Sequence, residues 1–153
     1  MSSKSDIKQH LYNACFQFIE NRLLTIQKSI NEIKESLTSE TKSSAGDKHE
    51  TERAMLQLER EKAGNQLAEI MKVKESFSKI YVSKPLKSIG LGSLVFTTQA
   101  NYFIAISAGE IVIENEKYFA ISPNTAIGKL LIGKQVGDVV TFRENDFKVV
   151  AVT

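Results

Sequence analysis

The chain turns at Ser43-Ser44-Ala45-Gly46-Asp47-Lys48-His49-Glu50-Thr51, a polar stretch that separates two long helical patterns. Gly46 and the serines before it are residues that favour turns. The stretch therefore predicts the tip of a helical hairpin that spans residues 1–82. Asp47 and Glu50 lie three residues apart at this tip, either as part of an ordinary polar turn or as a pair that carries chemistry.

Before the tip, apolar residues recur at alternating intervals of four and three residues, which is a heptad pattern. Such a seam predicts a helix that packs along another helix. Leu11 and Cys15 belong to a second apolar stripe near the start of this helix, and Cys15 is interpreted as a small core residue rather than a reactive thiol. The seam consists of Tyr12, Phe16, Ile19, Leu23, Ile26, Ile30, Ile33 and Leu37.

After the tip the same heptad pattern resumes, so the two helices share one register and should pack antiparallel within one chain. Arg60 and Lys74 occupy two seam positions, and we interpret them as long stems that lie along the seam with their charges in water. A monomer is therefore expected. The apolar members of this second seam are Leu56, Ala63, Leu67, Ile70 and Phe77.

The second half of the chain has the periodicity of β-strands. A linker over residues 83–90 contains Pro85, which cannot continue the preceding helix. Residues 91–153 then predict a small, mostly antiparallel domain with a turn at Asn115-Glu116 and a short helix over 124–132 that Gly133 ends. The fold class is therefore α+β, a long antiparallel helical hairpin followed by a small β-rich domain. The strands are expected near 94–98, 102–106, 110–114, 117–122, 139–143 and 147–152.

Composition excludes several classes of function. With 42% hydrophobic and 25% charged residues, the 153-residue chain has an ordinary globular balance, and its net charge of +2 does not indicate the basic face of a nucleic-acid binder. The single cysteine precludes an internal disulfide and favours a cytoplasmic location. No apolar run approaches the roughly 18 residues of a membrane span. No nucleophile–base pair, metal-spaced His/Cys set or phosphate loop is present, so the β-rich half is expected to dock or stabilise.

One continuous segment of the β-rich half points to a family. It reads Ile121-Ser122-Pro123-Asn124-Thr125-Ala126-Ile127-Gly128-Lys129-Leu130-Leu131-Ile132-Gly133-Lys134-Gln135-Val136-Gly137-Asp138-Val139-Val140. This segment resembles the C-terminal signature of the GreA/GreB family of bacterial transcript-cleavage factors. The family combines an N-terminal antiparallel coiled coil with an FKBP-like domain, the order expected here. Its tip pattern Gly-Asp-Leu-Ser-Glu-Asn corresponds to Gly46-Asp47-Lys48-His49-Glu50-Thr51, which keeps both acids and their spacing.

The resemblance implies a specific function. Such factors bind bacterial RNA polymerase through the globular domain and insert the coiled coil into the secondary channel. Their tip carboxylates help to hold a catalytic Mg²⁺ near the nascent RNA, so Asp47 and Glu50 would be the catalytic metal ligands of an accessory factor that is not itself an enzyme. Mg²⁺ prefers carboxylate oxygens and keeps several waters, which suits a site with only two protein ligands.

The same comparison keeps other functions open. Lys48, His49 and Thr51 replace the family's Leu, Ser and Asn, and Arg53 lies near the position of its usual Tyr. A non-cleaving regulator that enters the same channel is therefore one alternative, and a coiled-coil interaction protein unrelated to transcription is another. A prolyl isomerase shares the FKBP-like fold, but the chain has no tryptophan to floor an aromatic pocket.

Overall fold

The computed structural model describes the backbone over residues 3–42 and 47–153, and the side chains over residues 3–39 and 50–153. The chain forms two compact units. The hairpin unit is Ile19–Glu75, and the β unit combines Met1–Phe18 with Ser76–Thr153. The turn predicted at residues 43–46 lies outside the described residues.

Two long helices occupy the first half of the chain, α1 over Lys4–Lys42 and α2 over Asp47–Phe77. Within the hairpin unit they run antiparallel, because Glu20 near the start of α1 forms a 3.3 Å ion pair with Lys74 near the end of α2. The seam is buried by apolar residues from both helices. The buried members are Ile19, Leu23, Ile26, Ala63 and Ile70.

Arg60 and Lys74 are more exposed than their seam positions predict. Arg60 is exposed, and the side chain of Lys74 is 46% exposed while it pairs with Glu20. The seam is therefore incomplete on the α2 side. Charged side chains occupy two of the seam positions of α2, where apolar side chains would otherwise lie.

Within the β unit, the start of α1 buries a different stripe from the predicted seam. Leu11 and Cys15 are completely buried, whereas Phe16 is 45% exposed. Cys15 is thus a core residue, as expected, and the prediction that Phe16 lies in a buried seam is wrong. Tyr12 stacks on Phe77 with 4.5 Å between the ring centroids. The buried face of α1 in this unit therefore contains Leu11 and Cys15 rather than Phe16.

Six strands and one short helix follow α2. The elements are β1 Leu94–Thr97, β2 Asn101–Ile104, β3 Gly109–Ile113, β4 Glu116–Ile121, α3 Ala126–Leu131, β5 Val139–Phe142 and β6 Asn145–Val152. The order of the strands across the sheet is β3-β4-β2-β1-β6-β5. All neighbouring strands pair antiparallel except β2 and β4, which are parallel. This confirms the predicted fold class of a helical hairpin followed by a small β-rich domain.

Both edge hairpins use two-residue turns with left-handed backbone at both positions. In the β3–β4 turn, Glu114 and Asn115 have φ of 52° and 66°, so the prediction of a turn at Asn115-Glu116 is wrong by one residue. In the β5–β6 turn, Arg143 and Glu144 have φ of 52° and 68°. These angles are typical of type I′ turns, which match the twist of the flanking strands.

The core of the β unit lies where the sheet meets α3. Strands from the centre and from one edge of the sheet supply its apolar side chains, and Leu131 supplies the contribution of α3. Residues on alternate strand positions share this face, as the strand period of two requires. The buried members are Ile89, Val95, Tyr102, Ile104, Leu131, Val140, Phe147 and Val149.

One charged residue is buried in the β unit. Lys8 on α1 is only 2% exposed, and its Nζ donates a hydrogen bond to the carbonyl oxygen of Lys84 at 3.2 Å. Burial lowers the pKa of the Lys8 ammonium below its ordinary value of 10.5. The side chain ties the segment that follows α2 to the first turns of α1.

Candidate functional site

The two acidic residues of the tip belong to the first turn of α2. Asp47 is the first residue of that helix, and Glu50 follows three positions later with an exposed side chain. Positions three apart in an α-helix lie on the same side of it. The side chain of Asp47 lies outside the described residues, so the predicted Asp47–Glu50 pair is located here only by its backbone.

The donor set of the tip suits a hard divalent cation. Carboxylate oxygens are the ligands that Mg²⁺ prefers, and an exposed Glu50 leaves room for water and for ligands from another molecule. Over the side chains of residues 3–39 and 50–153, no three His, Cys, Asp or Glu groups converge on a point where they could hold a metal. Glu50 therefore has no such cluster around it among the side chains of residues 3–39 and 50–153.

A basic groove lies between the two helices of the hairpin unit. It has a volume of about 350 Å³ and is lined by Lys34, Leu37 and Thr38 from α1 and by Arg53, Gln57 and Arg60 from α2. Three of the six lining side chains are cationic and none is acidic. The heptad pattern did not indicate Lys34 and placed Arg60 in the seam, although Arg53, Gln57 and Arg60 have the spacing of one helix face.

The family-like segment Ile121–Val140 folds into the end of β4, α3 and the start of β5. Thr125 caps α3: its Oγ1 accepts a hydrogen bond from Gly128 N at 3.1 Å and donates one to Ser122 O at 2.8 Å. Gly128 is buried against the same loop, and a Cβ added there would overlap the Ser122 carbonyl oxygen. The Ser122-Pro123-Asn124-Thr125 loop and Gly128 therefore form one tightly packed cap.

The end of the segment contains two left-handed turns. Gly133 and Gly137 have φ of 84° and 96°, a region that L side chains rarely adopt. Between them, Gln135 N donates to Asp138 Oδ2 at 2.8 Å, and Gly137 N donates to Val149 O at 2.9 Å. These residues position α3 and begin β5, so their part in the segment is structural.

Other residues with reactive side chains show no sign of chemistry. Burial raises the pKa of the Cys15 thiol to about 12, so the group is a neutral core thiol. His10 lies on the exposed side of α1. His49, expected to be a solvated turn residue rather than a metal ligand, has its side chain outside the described residues.

Comparisons with known proteins find similarity among solved structures. No protein-family model and no curated protein matches the chain. Among solved structures, it is similar to the transcription factor Gfh1, with 19% identity, 92% of each chain covered and a TM-score of 0.34. No helix among the described residues is long and apolar enough to cross a membrane.

Proposed function

We propose that this protein is a GreA/GreB-like transcription factor. It binds bacterial RNA polymerase, inserts its helical hairpin into the secondary channel and stimulates cleavage of backtracked RNA. The observation that carries the proposal is the segment Ile121–Val140, which resembles the C-terminal signature of that family. The chain order of hairpin, acidic tip and β-rich domain supports the same proposal.

The structure gives physical reasons for the residues of that signature. Thr125 is an N-cap, Gly128 packs where a side chain would overlap the backbone, and Gly133 adopts a left-handed turn. These three residues of the signature therefore agree with the local geometry in which they lie. This supports the family resemblance, from which the polymerase partner is inferred.

Asp47 and Glu50 would hold Mg²⁺ at the polymerase active site, where the polymerase completes the coordination. When bound there, the metal supplies Lewis acidity that activates water and offsets charge on the phosphodiester. The two carboxylates would bind and orient the metal. The spacing supports this role, since Asp47 and Glu50 are three positions apart in the first turn of α2 and positions three apart lie on the same side of a helix. The protein by itself is an accessory factor and not an enzyme. We further propose that it acts as a cytoplasmic monomer.

The tip sequence favours one alternative, a regulator that enters the channel without stimulating cleavage. Lys48 lies between the two acids and brings a positive charge close to the proposed metal ligands. A nearby cation competes electrostatically with Mg²⁺ for the same carboxylates. Lys48→Leu, which restores the family residue, should then increase cleavage.

An RNA-cleavage assay on backtracked polymerase tests the proposal. We expect the wild-type protein to accelerate Mg²⁺-dependent cleavage, and the double variant Asp47→Ala/Glu50→Ala to lose at least tenfold of that stimulation because both proposed ligands are removed. Glu59→Ala is the matched control, since Glu59 is an exposed acid farther along α2. It should behave as wild type.

Each outcome of this assay has a distinct meaning. Equal stimulation by the wild type and by the double variant contradicts the catalytic role. Polymerase binding that competes with an authentic cleavage factor, without cleavage, supports the non-cleaving regulator. Failure to co-purify with RNA polymerase at low salt contradicts both and favours a coiled-coil protein unrelated to transcription.

A further inference from the structure

A long part of the chain carries positive charge only. From Ser76 to Gly109 there is no aspartate or glutamate, although the whole chain has 18 acidic residues against 20 basic ones. Lys79, Lys84 and Lys87 fall in this stretch, and all three are exposed. A net charge of +2 for the whole chain therefore conceals a local basic surface on the segment that follows α2.

An exposed aromatic ring lies among these lysines. Tyr81 is 75% exposed, more than Leu24 or Leu58, each of which is 65% exposed. A turn fixes its position, because Lys84 N donates to Tyr81 O at 3.1 Å. The Lys8 ammonium holds the carbonyl at the end of the same turn. The ring is thus presented to solvent from an ordered backbone.

The continuation of this segment is hydrogen-bonded to the backbone of another lysine, Lys134. Ile89 N donates to Lys134 O, and Gly133 N donates to Ile89 O, both at 2.8 Å. Gln135 Nε2 adds a 3.0 Å hydrogen bond to Ser88 Oγ. These bonds place Lys87 and Lys134 on adjoining backbone segments. Asp138 is an acidic residue beside this region, and its carboxylate accepts a hydrogen bond from Gln135 N.

We propose that this surface, formed by Lys79, Tyr81, Lys84, Lys87 and Lys134, binds single-stranded nucleic acid. Lysines spaced along a groove or ridge neutralise successive phosphates, and an exposed tyrosine ring provides a stacking platform for a base. A single strand offers both groups, whereas a duplex keeps its base faces stacked and an acidic peptide offers charge without a base. The site requires no polymerase and is separate from the acidic tip.

Fluorescence anisotropy of a labelled oligouridine with the full-length protein tests this proposal. We expect binding that weakens as salt rises. Tyr81→Ala should weaken it about tenfold, and Tyr81→Phe should keep it because the ring remains. Lys84→Ala and Lys87→Ala should each reduce the slope of log K against log salt by about 0.7. Lys28→Ala and Lys72→Ala are matched controls, since both lysines are exposed on the hairpin.

Circular dichroism of each variant establishes that the fold is retained, as expected for exposed side chains. The proposal is overturned if Tyr81→Ala binds as wild type, or if a duplex of equal length binds as tightly as the single strand. It is also overturned if polyglutamate of equal charge displaces the oligonucleotide as well as unlabelled oligouridine does. Since the assay contains no polymerase, its failure leaves the cleavage proposal to its own test.

Discussion

At the scale of the residue, Gly128 shows how closely the cap of α3 is packed. A Cβ at this position would overlap Ser122 O and approach Thr125 Oγ1 to 2.8 Å. The first of these atoms belongs to the backbone and cannot rotate away. Gly128→Ala should therefore lower the free energy of unfolding by about 3 kcal/mol. Urea denaturation followed by circular dichroism measures the change.

Gly90→Ala in the same unit is the control for that substitution. Its added Cβ would make an ordinary 3.9 Å contact with Leu86 Cδ1. We expect a change within about 0.5 kcal/mol, as for most substitutions without a clash. Equal destabilisation by the two alanines would mean that the cap does not limit stability.

At the scale of the element, the β5–β6 hairpin contains an unfavourable turn. Glu144 has φ of 68°, a left-handed conformation that costs a non-glycine residue about 1–2 kcal/mol. Glycine removes that cost but adds about 0.5–1 kcal/mol of chain entropy. Glu144→Gly should therefore raise the free energy of unfolding by roughly 0.5–1 kcal/mol. Thermal denaturation measures the change in stability. Arg143 is left unchanged because its guanidinium lies over the Phe142 ring, 5.0 Å from the ring centroid.

Asn145→Gly is the control for the hairpin, because Asn145 is exposed but already belongs to β6. Glycine in a strand has no turn strain to relieve, so this variant should lose stability. If both glycines destabilise the protein equally, the left-handed turn at Arg143-Glu144 carries no recoverable strain.

These turns also show which features of the fold the local sequence predicts and which it does not. Strand periodicity located all six strands to within a few residues, because alternation of buried and exposed positions is a local signal. The turn at Arg143-Glu144 gave no signal, since neither residue favours left-handed backbone. The parallel pairing of β2 with β4 depends on distant parts of the chain. Phe16 fits the heptad, yet it is 45% exposed, whereas Leu11 and Cys15 of the second stripe are completely buried.

At the scale of the whole molecule, the two units should differ in their ability to fold alone. The β unit has its own core of strands and α3, and Tyr12 stacks on Phe77 where α1 and α2 belong to it. A variant with a short glycine-serine connection in place of Ile19–Glu75 should therefore fold. An isolated hairpin of residues 19–75 should be far less stable, because helices without a broad apolar face are marginal in water.

Amide proton spectra and cooperative denaturation measure both fragments. Dispersed amide signals and a single sharp transition are expected for the shortened β unit, and weak helicity with a broad transition for the hairpin. A fully folded isolated hairpin, or an unfolded β unit, would contradict the division of the chain.

The candidate site was only partly predictable at this scale. The spacing of Asp47 and Glu50 is visible in the sequence because both lie in one turn of helix. The basic groove was not, since Lys34 and Arg53 meet only when the two helices pack. The basic surface around Tyr81 was hidden by summing charge over the whole chain. Summed charge discards the positions of the lysines, and position decides whether a surface attracts phosphate.

The burial of Cys15 makes the rate of its chemical labelling a measure of how often the β unit opens. Thiol reagents attack the thiolate, and this chain's only cysteine is completely covered with a pKa of about 12. Modification must therefore wait for the β unit to open. The labelling rate under native conditions, divided by the rate in denaturant, reports the population of open molecules. The opening of the β unit can thus be measured at the native cysteine, without the introduction of another labelling site.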